Sequence, residues 1–330
     1  MMQNILIIGA GAVGQVYGYR LAQAGNRVTF MVKEKYQCAL QAGLTLYNLG
    51  QDKLKKRPIQ FTQYKVVTNW PKAATQSENR AWDQIYLCIS STALRSFDFT
   101  GLKTLLKPGT TLVLLQPGPQ DYQLVSPHWP ATQIVQGVIS LISYNAPLRT
   151  EQVPESGIAF WLPPLVATPF DGPSTQVKSV IRTFRQSGMK AVHKKKLAQS
   201  APYPTAAFMI FLTALEIKNW KLAALREDKE LQKLVIRAIH ETFQVLSQDS
   251  GSRNPLWRYL VTPLSIRALL RIGPGAVPLD LETYLEYHFT KVGDQTRLFT
   301  QSYQLLAQDR GLSTPAMEQL LRLQPALAPH

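Results

Sequence analysis

A glycine-spaced turn near the start of the chain limits its possible folds more than any other feature. Asn4 to Ile8 is a short apolar run, and Gly9-Ala10-Gly11-Ala12-Val13-Gly14 follows it directly. Such a run suits a parallel strand buried on both faces. Beyond the turn, Gln15 to Ala24 carries helical spacing, with Val16, Leu21 and Ala24 toward the inside, and Gly25 stops that helix. Arg27 to Val32 reads as the next strand. Gly-x-Gly-x-x-Gly says little alone. With a strand before it, a helix after it and a second strand within about thirty residues, it describes a dinucleotide-binding turn. Gly9 then permits the tight turn, Gly11 lets the backbone approach a pyrophosphate, and Gly14 lets helix and strand pack closely. Ala12 and Val13 lie where the helix offers unpaired N–H groups and its positive dipole end to phosphates.

The alternation continues. Gln84 to Ile89 and Thr110 to Leu115 read as strands, and Ser91 to Leu106 between them has helical character. Gln133 to Ile142 contains a strand. Gly157 to Leu162, Leu165 to Thr168 and Met189 to His193 read as short ones, and Ser174 to Gln186 is an amphipathic helix ended by Ser187-Gly188. This pattern predicts an α/β fold, a Rossmann-type doubly wound sheet over residues 1–194. From about Lys195 strand signals vanish. Ala206 to Leu225, Glu227 to Ser250, Asp280 to Val292 and Gln295 to Gln308 read as helices, which predicts a mostly helical substrate or dimerisation domain over 195–330. Gly251 to Pro278 is rich in Gly and Pro. Its basic, apolar segment Leu264 to Ile272 reads as part of a helical hairpin, with a membrane-surface role as the other reading.

The chain has 330 residues, 45% of them hydrophobic, enough for two ordinary domains with substantial cores. The longest apolar run, Ala206 to Leu215, is about half of what a bilayer span needs. Cys38 and Cys88 make no disulfide framework, and no His/Cys cluster has metal-ligand spacing. A soluble, cytoplasmic protein without a metal is the expectation. The net charge of +15 includes two clusters, Lys53, Lys55, Lys56 and Arg57, and His193 to Lys196. No zinc-finger, RRM or helix-turn-helix signature accompanies them, so an anionic cofactor and a small anionic substrate are favoured over nucleic acid.

Cofactor choice is read at the end of the second strand. NAD sites place an acidic residue there for the ribose hydroxyls. Here Val32 holds that place and Lys33 follows, which favours the 2′-phosphate of NADP; a small register shift would bring Glu34 there instead. Ser90 and Gln116 close strand C-terminal ends, where ligands of open α/β sheets bind.

The Gly9–Gly14 turn, Gly25-Asn26-Arg27-Val28-Thr29 and Lys33 resemble the opening of the ketopantoate reductase (2-dehydropantoate 2-reductase) family. The resemblance continues through Trp82-Asp83-Gln84-Ile85, Gly118, Ser187-Gly188, Lys196-Leu197-Ala198 and Gly311-Leu312-Ser313-Thr314-Pro315. It implies NADPH-dependent reduction of a 2-oxo acid or related carbonyl, with Lys196 acting on the keto oxygen. Other polar positions of the family are altered. Ser90 stands for a lysine, Pro117 for an asparagine, Ser200 and Pro204 for two asparagines, and Gln295 for the late glutamate, with Asp294 and Glu282 nearby. These changes point to a substrate other than ketopantoate. Ser200, Gln295 and His288 are the candidate substrate-side residues; His288, one turn before Lys291, reads equally as a packing residue. A non-catalytic NADP-binding sensor or partner-binding protein is the alternative, and a homodimer is allowed.

Overall fold

A computed structural model describes residues 2–53, 55, 57–76, 81–116, 119–250, 254–291 and 293–325, excluding the side chains of Pro119, Ser250, Lys291, Asp294 and Gln295. The chain divides into two compact units. The first comprises residues 1–147 and 151–198, the second residues 148–150 and 199–330. The architecture is an N-terminal mixed α/β Rossmann-like sheet domain followed by a mostly helical C-terminal one.

The strands of the first unit are β1 (Asn4–Ile8), β2 (Arg27–Met31), β3 (Leu44–Asn48), β4 (Ile59–Phe61), β5 (Lys65–Val67), β6 (Gln84–Leu87), β7 (Thr111–Leu114), β8 (Ile134–Gly137), β9 (Ile142–Ala146), β10 (Gly157–Trp161), β11 (Thr168–Asp171) and β12 (Ala191–His193). Eight form one sheet in the order β12-β11-β8-β7-β6-β1-β2-β5, parallel except where β11 meets β8. The chain leaves β1 toward β2 and β5, then returns to the other side at β6. The strand order therefore reverses at β1/β6, the place where open α/β sheets bind ligands. One register row crosses the sheet from Met31 through Ile8, Leu87, Leu114 and Gln136 to Asp171.

The apolar run of β1 is continuous because both of its faces are covered. Ile5 and Ile7 pack with Val16, Tyr17 and Leu21 of the helix Ala12–Gln23, while Leu6 and Ile8 pack on the opposite face with Leu87, Leu102 and Leu114. Each such side chain, fully buried, contributes roughly 1.5–3 kcal/mol before entropy is counted. A second sheet, in the order β4-β3-β10-β9, covers the outer side of the same helix; Tyr19 sets its ring 5.6 Å from Phe61 and 6.2 Å from Phe160. This small sheet has no counterpart in the sequence expectation except β10.

Other expectations are corrected. The strand expected at Leu165–Thr168 begins only at Thr168, and Leu165 sits in an exposed turn. Ser91–Leu106 is two short helices, Ser91–Arg95 and Phe99–Lys103, the second capped by Asp98, whose Oδ1 accepts from the Gly101 N–H at 2.9 Å. Lys55 is not part of a solvated basic face. It is buried and ion-paired with Glu151, which also accepts from the Tyr144 hydroxyl at 2.8 Å, and burial lowers its pKa to about 8. Lys56 and Leu54 lie outside the described residues.

In the second unit the long helix Lys229–Ser250 is central, with Pro202–Ile217, Gly293–Asp309 and Pro315–Leu323 packed on it. The expected helix Ala206–Leu225 is interrupted: it ends at Ile217, Asn219 and Trp220 take left-handed backbone, and Leu222–Glu227 is a separate helix. Glu241 accepts from the N–H groups of Ala316 (3.1 Å) and Met317 (3.0 Å), placing a carboxylate at the start of the last helix. The Gly/Pro-rich stretch holds a 14-residue helix, Pro263–Ala276, entered through a capping box between Thr262 and Ser265.

Candidate functional site

The C-terminal edge of β2, β1, β6 and β7 gathers eight of the sequence-derived candidates. Gly9 leaves β1 with φ +97°, and its N–H donates to the Met31 carbonyl at 3.0 Å. A side chain on Gly9 would meet the Cys88 carbonyl oxygen at 2.7 Å, and one on Gly14 would meet the Gly9 carbonyl oxygen at 2.1 Å. Both glycines are required by the protein's own packing. Gly11 differs: a Cβ there would meet nothing within 4 Å. The space that it leaves faces the start of the helix Ala12–Gln23, which has no side-chain cap and no acidic residue in its first turn. The first-turn N–H groups of Ala12, Val13 and Gly14 have no intrahelical acceptor. Gln15 braces the turn by donating from Nε2 to the Ala10 carbonyl at 2.8 Å. This cradle suits a pyrophosphate.

At the end of β2, Val32 is buried in the core beside Val28 and Phe30. Lys33 is the first exposed residue past the strand and caps a short 3-10 turn, Glu34–Tyr36, in extended conformation. After β6, the Ser90 hydroxyl accepts from the Ala93 N–H at 3.1 Å and so caps the helix Ser91–Arg95. Gln116 is buried after β7. Its Nε2 donates to the carbonyls of Leu87 (3.1 Å) and Ile89 (2.7 Å), and its Oε1 accepts from the Leu115 N–H at 3.2 Å. Its amide thus ties β6 to β7. Pro117 and Gly118 lie outside the described residues. Burial pushes the Cys88 thiol up to about 12, so it stays protonated beneath the turn.

Lys196 lies in the turn between β12 and the short helix Leu197–Ser200. It is exposed, and its φ of +59° is left-handed, uncommon for a long side chain and locally unfavourable. Asp171 holds this turn: Oδ2 accepts from the Leu197 N–H at 3.0 Å, and Oδ1 lies 3.3 Å from His193 Nε2. Asp171 was not among the sequence candidates. Only the Asp171-Gly172-Pro173 turn pattern marked it, and nothing local linked it to a helix 26 residues later.

The remaining candidates belong to the second unit. Ser200 ends its short helix and is half-buried. His288 stacks on Tyr284 at 5.4 Å and meets Phe289 edge-on at 4.8 Å, so packing accounts for it. Glu282 accepts from the Leu222 N–H at 2.8 Å and caps that helix. The side chains of Gln295 and Asp294 lie outside the described residues. No group of three or more metal-ligating side chains occurs among the described residues, and no described helix is long and apolar enough to cross a membrane.

Residues 5–150, less than half of the chain, match the family described as "Ketopantoate reductase PanE/ApbA". No curated protein matches the chain. Among solved structures, D-mandelate dehydrogenase with NADH and anilino(oxo)acetate is similar in fold, with 15% identity, a TM-score of 0.72, and coverage of 97% of this chain and 96% of that one. The 2-dehydropantoate 2-reductase from Geobacter metallireducens GS-15 has 16% identity and a TM-score of 0.69, covering 97% and 98% of the two chains. A PanE/ApbA family ketopantoate reductase from Ralstonia eutropha JMP134 has 17% identity and a TM-score of 0.69, covering 97% and 96%. The chain thus shares its fold with these proteins, and its N-terminal part is related in sequence to the ketopantoate reductase family.

The two kinds of glycine separate in a stability measurement. Gly14→Ala should lower the thermal midpoint, since the overlap with the Gly9 carbonyl costs about 1–3 kcal/mol. Gly11→Ala should cost no more than about 1 kcal/mol. Equal midpoints for the two variants would show that Gly14 is not held by that close approach.

Proposed function

We propose that the protein is an NADPH-dependent oxidoreductase that reduces the carbonyl of a 2-oxo acid or a related small anionic molecule. The observation that carries this reading is the open space at Gly11, at the uncapped end of a helix and at the strand-order reversal. Gly9, Gly11, Ala12, Val13 and Gly14 would hold the pyrophosphate, and Lys33 the 2′-phosphate. A bound nicotinamide supplies the hydride; position and charge come from the protein.

Along the sheet edge the order is Lys33 at β2, the glycine turn at β1, Ser90 and Gln116 at β6 and β7, then Asp171 and Lys196 at β11 and β12. Asp171 shares the register row of Ile8 and Leu87, which supports a role for its turn at the same site. In this reading Asp171 orients the turn, and the Lys196 ammonium stabilises or protonates the developing alkoxide. Lys194 and Lys195 are its exposed neighbours. Residues 195–330 would supply further substrate contacts, including Ser200 and Gln295. Ketopantoate is not the favoured substrate, because Ser90, Pro117, Ser200, Pro204 and Gln295 replace the family's polar groups. The engagement of Ser90, Gln116 and His288 in caps, braces and ring stacking favours the second reading, a non-catalytic NADP-binding sensor or partner-binding protein.

Cofactor choice is tested by fluorescence titration. NADPH should bind more tightly than NADH, and Lys33→Asp should narrow or reverse that difference; equal affinities in the unaltered protein would remove the assignment. Catalysis is tested by NADPH oxidation with a panel of 2-oxo acids. With any substrate found, Lys196→Ala should lower kcat by roughly a hundredfold or more, while keeping cofactor affinity. Lys194→Ala and Lys195→Ala should do little. Full turnover in Lys196→Ala would exclude this residue from the reaction, and no turnover with any acid would leave the sensor reading.

A further inference from the structure

We propose that residues 256–272 form a docking face that holds this protein on an anionic membrane surface. The helix Pro263–Ala276 buries Ile266 and Leu270 on its inner side, as an ordinary surface helix does. Its outer side is also apolar. Leu264, Ala268 and Ile272 follow one another at i, i+4 and i+8, and Leu264 is 78% and Ile272 65% exposed. Just before the helix, Leu256 is 83%, Leu260 71% and Tyr259 65% exposed. One exposed leucine needs no explanation. This many within seventeen consecutive residues makes a surface suited to an apolar partner.

Charge selects the partner. Residues 250–279 contain no Asp or Glu and carry four arginines, Arg253, Arg258, Arg267 and Arg271. Arg271 is exposed beside Ile272. Arg258 lies over the Tyr259 ring at 4.7 Å and donates to its hydroxyl at 2.8 Å, and Trp257 anchors on Phe243 at 5.0 Å. Trp and Tyr with flanking arginines suit the headgroup boundary, where apolar side chains enter the acyl region and guanidinium groups reach lipid phosphates. Each basic residue near such a surface strengthens attachment. A second copy of this chain would set arginine against arginine, with no carboxylate in the segment to pair them. No described helix can cross a bilayer, so the contact is with its surface.

The test is flotation of the full chain with phosphatidylcholine vesicles, with and without roughly one-third phosphatidylserine. The parent should float with the anionic vesicles and be released by salt. Leu264→Asp/Ile272→Asp and, separately, the surface variant Arg271→Glu should each weaken flotation by roughly tenfold or more, with far-UV spectra and thermal midpoints near those of the parent. A parent that does not float would overturn the proposal. So would an Arg271→Glu variant that floats equally well, or self-association or binding to an acidic protein that uses this face while vesicles are ignored.

Discussion

The close approach of the helix Ala12–Gln23 to β1 is the constraint on which the first unit depends. At Gly14 the helix comes so near the Gly9 carbonyl that a single added carbon would overlap it at 2.1 Å. That proximity fixes the direction of the helix, sets Val16, Tyr17 and Leu21 against β1, and presents Tyr19 to the small sheet. It also aims the free N–H groups of the first helical turn over the sheet edge. Packing and ligand geometry therefore have one origin. The glycines at 9 and 14 serve the fold, and the one between them leaves the room that a ligand needs.

Legibility followed the range of the forces involved. Strands β1, β2, β6 and β7 could be read because burial on both faces demands unbroken apolar runs. The small sheet could not. Its strands are three to five residues long, and β3 pairs with β10 more than a hundred residues away, so no local pattern announces them. The break at Asn219 and Trp220 was hidden because neither residue is a usual helix stop, yet both adopt left-handed backbone. In Gly251–Pro278 the composition suggested loops, while Pro263 at a helix start and the Thr262/Ser265 box in fact begin a helix.

At the site, the glycine turn was legible since its spacing carries its own mechanism. The side chains around it were harder to read because a polar residue at a strand end can serve a ligand or the scaffold. Gln116 spends its amide joining β6 to β7, and Ser90 caps a helix. Asp171 shows the converse. It is an unremarked turn residue whose two oxygens brace the segment carrying Lys196, a relation that exists only once β11 and β12 lie side by side.

The central claim is that a nicotinamide dinucleotide lies on the Gly9–Gly14 turn. Titration of NADPH into the parent and into Gly11→Val tests it most directly, because the branched side chain enters open space and leaves the protein's own packing untouched. The account predicts a parent that binds and a variant that has lost measurable affinity while its far-UV spectrum is unchanged. A folded Gly11→Val protein that binds NADPH as tightly as the parent would contradict it.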